Sequence, residues 1–243
     1  MIRQELQGRF SNNEVVPRVK LIDFDRLAGD TKEIVCSFGS FALEHANLGE
    51  AEFDKIKEAQ EKAESTGHTF DMYKDLDKRL GHEATIRLLE EFETADHNDF
   101  LMPGARELLE LYESQDDPFC LFTFPTGDVR WQTAKIRAAG LDEIPCWMTD
   151  TADKGELLAK LYDPEGKYFV LPYSMGGLKT RSFVLIDDKA SSFKDYPLLP
   201  SRGYHVVDPE RAVPIQLGAV QGNVTPMNDL YEVIREESEQ IAA

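Results

Sequence analysis

Val19-Lys-Leu-Ile-Asp-Phe-Asp25 is an apolar, strand-like run that places two carboxylates, one residue apart, where the apolar pattern stops. A buried strand has no structural use for Asp23 and Asp25. At the carboxyl end of a parallel strand, however, such a pair can offer a carboxylate and the next backbone carbonyl to a hard cation, leaving the other carboxylate for proton transfer. The run therefore predicts a Mg²⁺-dependent active site, although Asp is also common in plain turns.

The chain beyond this run alternates predicted strands and helices. The predicted strands cover residues 118–123, 144–148, 184–186 and, as an edge strand, Tyr204–Val207. One predicted helix begins near Pro103, and three others cover Val129–Ala139, Gly155–Tyr162 and Met227–Ile241. Strands and helices that alternate at this spacing form right-handed βαβ units. We therefore expect an α/β fold with a parallel sheet covered by helices on both faces.

Residues 31–96 interrupt this alternation with helical spacing and no strand-like run. An insert of this length is far longer than a crossover between two strands needs. We therefore expect a polar N-terminal leader over residues 1–17, an α/β core over residues 18–30 and 97–243, and a small all-helical domain over residues 31–96.

Four short motifs resemble those of the haloacid dehalogenase-like (HAD) hydrolase superfamily. Leu21-Ile-Asp-Phe-Asp-Arg-Leu27 resembles its opening Asp-x-Asp motif, and Phe119-Cys-Leu-Phe-Thr123 resembles its second, a strand that ends in Thr or Ser. Lys154, in Asp153-Lys-Gly-Glu-Leu-Leu158, resembles the lysine of the third, and Phe183-Val-Leu-Ile-Asp-Asp188 resembles the fourth, which closes on paired acids. The resemblance implies a three-layer, Rossmann-like core with a helical cap between the first and second motifs.

The resemblance also implies roles for these residues. Asp23 would be the nucleophile of a phosphatase and Asp25 the general acid and base, which also offers its backbone carbonyl to the metal. Thr123 would hydrogen-bond a phosphoryl oxygen, with Thr126 as the alternative. Lys154 would pair with Asp23 and the phosphate, with Lys179 as the alternative.

The implied metal is Mg²⁺, and the expected metal-site residues are Asp23, Asp25, Asp187 and Asp188. The implied activity is hydrolysis of a small soluble phosphorylated metabolite through an aspartyl-phosphate. The dehalogenases of the superfamily usually lack an acid at the second position, so Asp25 favours phosphoryl transfer. A weak or silent module that binds a phosphometabolite or a protein is the alternative, and a phosphotransferase or phosphonatase, the latter with a cap lysine such as Lys55, Lys57 or Lys62, is a third.

Two residues of the first motif depart from the family pattern. Leu27 stands where Thr or Val is usual, which removes a hydroxyl that would hold the loop. Arg26 stands where Gly is frequent, and either a substrate contact or a solvated loop position is compatible with it. Candidate specificity residues lie in the helical insert and in an irregular connection expected around Tyr168–Gly177, which includes Tyr173 and Met175.

The composition excludes some classes of partner and indicates the cellular compartment. The formal charge of −18 and the pI near 4.7 argue against nucleic acid or an anionic membrane as partner. The cysteines, Cys36, Cys120 and Cys146, are expected to be reduced core residues rather than disulfides. No apolar run has the length of a signal or membrane-spanning segment, so a cytoplasmic protein is expected. Nothing in the pattern specifies the substrate or the oligomeric state.

Overall fold

The computed structural model describes residues 14–46, 49–65, 71–95, 97, 99–115, 117–125, 128–207 and 222–242. The described residues form two compact units. The first unit comprises the described residues within 1–28, 101–124 and 143–243, and the second comprises those within 29–100 and 125–142. Within the described ranges, none of the helices is long and apolar enough to cross a membrane.

The secondary structure follows the chain in this order. The strands are β1 (Val15–Val16), β2 (Val19–Ile22), β3 (Phe119–Thr123), β4 (Cys146–Met148), β5 (Tyr162–Asp163), β6 (Tyr168–Val170), β7 (Lys179–Thr180), β8 (Phe183–Asp187), β9 (Arg202–Val206) and β10 (Val224–Met227). The helices are α1 (Thr31–His45), α2 (Glu50–Ser65), α3 (Met72–Leu80), α4 (His82–Thr94), α5 (Ala105–Glu113), α6 (Val129–Ala138), α7 (Lys154–Lys160) and α8 (Leu230–Ala242).

The first unit is built on a sheet whose described strands lie in the order β10-β9-β8-β2-β3-β4, all parallel. The prediction of an α/β fold with a parallel sheet is confirmed. The predicted edge position of Tyr204–Val207 is wrong, because β10 pairs with β9 on its outer side. β10 was not predicted from the sequence because Pro226 argues against a central strand. An edge strand such as β10 can accept a proline.

Helices cover both faces of this sheet. Side chains alternate along β2, so Val19 and Leu21 point to one face and Lys20 to the other. The first face packs into a buried cluster that includes Leu158 of α7. On the second face the Lys20 ammonium lies 4.2 Å from the centre of the Tyr112 ring of α5. The core therefore has the expected three layers.

The second unit is helical in its described residues. Its helices α1, α4 and α6 bring together Phe38, Phe92 and Trp131, with ring centres 5.0 Å apart for Phe38–Phe92 and 4.9 Å apart for Phe38–Trp131. The unit is wider than the predicted insert over residues 31–96, because α6 packs on α4 and so belongs to it. Cys36 is exposed on α1, so its assignment to the core is wrong, whereas Cys120 and Cys146 are buried.

A second, smaller sheet belongs to the first unit, with described strands in the order β1-β7-β6-β5. The predicted irregular connection over Tyr168–Gly177 is therefore largely ordered: β6 is followed by a single 3₁₀ turn at Tyr173–Met175. Met175 is buried in the same cluster as Val16, so it packs the core rather than facing a substrate. Val16, at the end of the predicted leader, pairs with Thr180 of β7 in this small sheet. Residues 1–13 of the leader lie outside the described residues.

Candidate active site

Asp23 and Asp187 lie side by side at one edge of the parallel sheet. Ile22 is opposite Ile186 in the β2–β8 pair, so the two strands end at the same level. The Asp23 N–H donates to the Ile186 carbonyl at 2.9 Å, which carries the ladder one residue further. This pairing brings the carboxylate that follows β2 next to the carboxylate that closes β8.

Lys154 joins these two carboxylates. Its Nζ donates to Asp23 Oδ1 and to Asp187 Oδ2, each at 2.7 Å. The Lys154 side chain is only 3% exposed. Burial opposes its charge, but Asp187 and Asp23 outweigh that effect and raise the pKa of Lys154 above its ordinary value. Lys154 is therefore a fixed cation at the carboxyl edge of the sheet.

The close seating of α7 positions Lys154. Lys154 is the first residue of α7 and Gly155 is the second. A Cβ atom at Gly155 would lie 2.2 Å from the Lys194 carbonyl oxygen and 2.9 Å from the Ser192 carbonyl oxygen. Glycine therefore lets the first turn of the helix touch the loop that follows β8, and this contact brings the Lys154 side chain into the acidic cluster.

Asp188 completes a cluster of buried carboxylates with Asp23 and Asp187. One oxygen of each lies within 4.8 Å of the others, and the three residues are at most 3% exposed. Asp23 Oδ2 is buried and accepts no hydrogen bond from the described part of the chain. Burial raises the pKa of Asp23, Lys154 lowers it and Asp187 raises it again, and the net effect is a raised pKa. A cation bound to Asp23 Oδ2 would relieve both burial and repulsion, and three carboxylates suit a hard divalent ion.

His205 supports the turn that carries these acids, and it was not predicted from the sequence. β9 places His205 opposite Asp187, and its Nε2–H donates to the Asp188 carbonyl at 3.2 Å. Burial lowers the pKa of His205, which favours the neutral ring. In the same turn the Lys189 N–H donates to Asp187 Oδ1 at 2.8 Å. Only the β8–β9 register could have pointed to His205.

Among the other residues predicted to bind phosphate, Thr123 lies at the carboxyl end of the strand next to β2. Thr123 ends β3 and is fully buried, and its carbonyl accepts the Thr149 N–H at 2.9 Å. Its alternative, Thr126, lies outside the described residues. Lys179, the alternative to Lys154, lies in the small sheet, with its Nζ 5.2 Å from the centre of the Tyr168 ring. Lys154, by contrast, contacts the acids directly.

The chain turns sharply after Asp23. The Leu27 N–H donates to the Phe24 carbonyl at 3.3 Å, which closes a turn with Asp25 and Arg26 at its centre. Asp25 is half-buried, and its charge raises the pKa of Asp23. Asp25 was among the four predicted metal-site residues, but it is not part of the carboxylate cluster formed by Asp23, Asp187 and Asp188. Leu27 is 1% exposed and packs into the core.

No protein-family model matches the sequence, and a search of curated proteins finds no match either. Among solved structures the chain resembles a candidate haloacid dehalogenase-like hydrolase from Burkholderia xenovorans LB400. The TM-score is 0.61, and the identity is 19% over 94% of this chain and 100% of that chain. At 19% identity, this structural similarity establishes a shared fold and no shared activity.

Two further solved structures align over most of the chain with lower scores. The magnesium-bound candidate HAD-hydrolase YfnB from Bacillus subtilis gives a TM-score of 0.48 and 15% identity, over 91% of this chain and 98% of that chain. A candidate β-phosphoglucomutase from Thermotoga maritima gives 0.47 and 17%, over 90% of this chain and 99% of that chain. These two TM-scores lie below 0.5, so the fold is assigned from the first similarity, with its TM-score of 0.61.

Proposed function

We propose that this chain, which has the fold of the haloacid dehalogenase-like hydrolases, is a Mg²⁺-dependent phosphomonoester hydrolase that acts on a small soluble phosphorylated metabolite. One observation carries the proposal: Lys154 bridges Asp23 and Asp187 at 2.7 Å within a buried cluster of carboxylates. Three carboxylates that share one lysine are costly to bury unless a further cation binds them. Phosphoryl transfer uses such a cation, a metal ion whose charge also faces the phosphate.

Asp23 is the proposed nucleophile. Its Oδ1 is held by Lys154, which orients the carboxylate. In the first step the Asp23 carboxylate attacks phosphorus, the ester P–O bond breaks, and the leaving alkoxide takes a proton from Asp25. In the second step Asp25 accepts a proton from water, and the water attacks the phosphorus of the acyl phosphate. Inorganic phosphate leaves and the Asp23 carboxylate is restored.

Asp23, Asp187 and Asp188 would hold the metal ion, because their oxygens lie close together and Asp23 Oδ2 is buried without a hydrogen-bond partner among the described residues. When bound, Mg²⁺ would supply positive charge against the phosphoryl oxygens. Lys154 would remain paired with the acids and contact the phosphate from its own side. His205 would keep the Asp188 backbone in place for this arrangement.

Asp25 favours phosphoryl transfer over dehalogenation. A leaving alkoxide needs a proton, whereas a leaving halide does not. Asp25 is half-buried in the turn directly after the nucleophile, close enough that its charge raises the pKa of Asp23. An acid at this position suits proton transfer to an ester oxygen.

The test is the release of inorganic phosphate from a panel of small phosphomonoesters, with Mg²⁺ and with EDTA. We expect turnover that needs Mg²⁺ and falls at least a thousandfold in Asp23→Asn. Asp142→Asn is the matched control, because Asp142 is exposed and the same charge is removed. Phosphate release by Asp23→Asn at the rate of the unaltered protein, or turnover unaffected by EDTA, would contradict the proposal.

A further inference from the structure

The acidic site needs positive charge beyond Lys154 to accept an anionic substrate. Asp23, Asp25, Asp187 and Asp188 are all at the site or directly beside it. Lys154 and a bound divalent ion carry three positive charges, which only balance the ionised Asp23, Asp187 and Asp188 while Asp25 holds the proton that it gives to the leaving alkoxide. A phosphate dianion, and above all a substrate with a second anionic group, would then lack a compensating charge unless further cations lie close.

Arg26 occupies a backbone position that ordinarily belongs to glycine. Its φ is 62°, and it is the third residue of the turn that the Leu27 N–H closes on the Phe24 carbonyl. A turn with positive φ at this position favours Gly or Asn, because a Cβ atom there is crowded by the backbone. Arginine gains nothing conformationally at this position. A strained residue beside a nucleophile points to a role for its side chain.

Lys189 provides a second cation from the loop that follows β8. It directly follows Asp187 and Asp188, and its backbone N–H donates to Asp187 Oδ1 at 2.8 Å. Its side chain is half-buried, and its charge lowers the pKa of Asp23. Because β2 and β8 are adjacent and in register, Arg26 and Lys189 follow the two strands at the same edge of the sheet.

We infer that Arg26 and Lys189 form a subsite for a second anionic group, so that the preferred substrates are organic phosphates that also carry a carboxylate or another phosphate. The inference extends the proposed phosphatase activity and depends on it. Arginine can bind either group with two parallel hydrogen bonds, and lysine adds a mobile point charge. Arg26 then has a reason to occupy a position that favours glycine.

Two matched pairs of substrates test the subsite. 3-Phosphoglycerate and glycerol 3-phosphate differ by a carboxylate in place of a hydroxymethyl group, and fructose 1,6-bisphosphate and fructose 6-phosphate differ by one phosphate. We expect the unaltered protein to prefer the more anionic member of at least one pair, as the ratio of kcat/KM. Arg26→Gly should reduce that ratio at least tenfold, mainly through KM. The pair that loses its preference identifies the anion.

The same variant has a second readout that separates binding from structure. Glycine adopts a positive φ without steric strain, so Arg26→Gly should melt about 2 °C higher than the unaltered protein while it loses the preference. Arg26→Lys keeps a cation and should retain part of the preference. Lys189→Met should also lower the ratio, whereas Lys194→Met, at an exposed position five residues along, should not.

The outcomes separate the two proposals. If the unaltered protein releases phosphate from none of a broad panel of esters with Mg²⁺, the proposed function is wrong and the subsite is wrong with it. If it releases phosphate but Arg26→Gly and Lys189→Met change all substrates equally, the hydrolase stands and the subsite is overturned. An Arg26→Gly variant that melts lower than the unaltered protein would show that Arg26 acts in the structure instead.

Discussion

Lys154 is the residue on which the stability of the acidic cluster depends. Its Nζ is the cation shared by Asp23 and Asp187, and all three side chains are at most 3% exposed. Removing one partner of a buried ion pair leaves the others uncompensated. In EDTA we expect Lys154→Met to lower the free energy of unfolding by about 3–5 kcal/mol, measured by urea unfolding.

Lys160→Met is the matched control because it removes the same charge from the same helix. Lys160 pairs with Glu156 at 2.7 Å, but both side chains are exposed, so no measurable loss of stability is expected.

The stability of Lys154→Met should also depend on pH in a defined direction. Without Lys154 the pKa of Asp23 rises further above its ordinary 3.8 in the folded state. The folded state then binds more protons than the unfolded state, so Lys154→Met should regain stability as pH falls toward 3.8. Equal losses for both variants, or no such recovery, would contradict this account.

At the residue scale, the sequence predicted that Asp23 and Asp187 meet at one edge of the sheet, but it did not predict the residues that support them. Asp23 and Asp187 each follow an apolar run, and such runs form buried parallel strands whose carboxyl ends meet. His205 depends on which residue of β9 lies opposite Asp187, and no local pattern specifies that register. The positive φ of Arg26 is equally hidden, because arginine predicts an ordinary backbone.

At the element scale, the contact of α7 with the loop after β8 should control the geometry of Lys154. Gly155→Ala would place a methyl group 2.2 Å from the Lys194 carbonyl oxygen, an atom of the backbone that cannot rotate away. We expect α7 to shift, at a cost of about 1–3 kcal/mol in the free energy of unfolding. Phosphate release should fall by more than tenfold, because Lys154 is the first residue of the helix.

Gly222→Ala is the control for this contact, since a Cβ atom at Gly222 meets no atom of the described residues within 4 Å. Both variants are measured by urea unfolding and by phosphate release with Mg²⁺. Gly155→Ala with the stability and activity of Gly222→Ala would show that the close contact of α7 has no energetic role.

The elements themselves were predictable where the apolar pattern is local. β2, β3 and β8 are nearly continuous apolar runs, which is typical of strands buried on both faces. The membership of α6 was not predictable, because a helix that follows a strand usually covers the sheet, whereas Trp131 of α6 packs with Phe38 of the second unit. That choice is made by tertiary contacts between residues far apart in sequence.

At the scale of the whole molecule, an acidic chain with a buried acidic cluster should be stabilised by Mg²⁺ in a specific way. The formal charge of −18 means that any salt reduces self-repulsion, so a general effect of ionic strength is expected. Binding at Asp23, Asp187 and Asp188 adds a linkage term, because the unfolded chain does not hold these three residues together. That term is about 2.7 kcal/mol when Mg²⁺ is a hundredfold above its Kd.

NaCl at matched ionic strength separates the two effects. We expect Mg²⁺ to raise the Tm well above the value in NaCl, and the difference to grow with the logarithm of its concentration. Asp188→Asn removes one carboxylate from the cluster, so it should lose this extra rise while it keeps the response to NaCl. In EDTA the variant should be at least as stable as the unaltered protein, because one of three close negative charges is gone. An equal rise in Mg²⁺ and NaCl would mean that the cluster does not bind the ion, and the phosphatase would then lack its proposed metal.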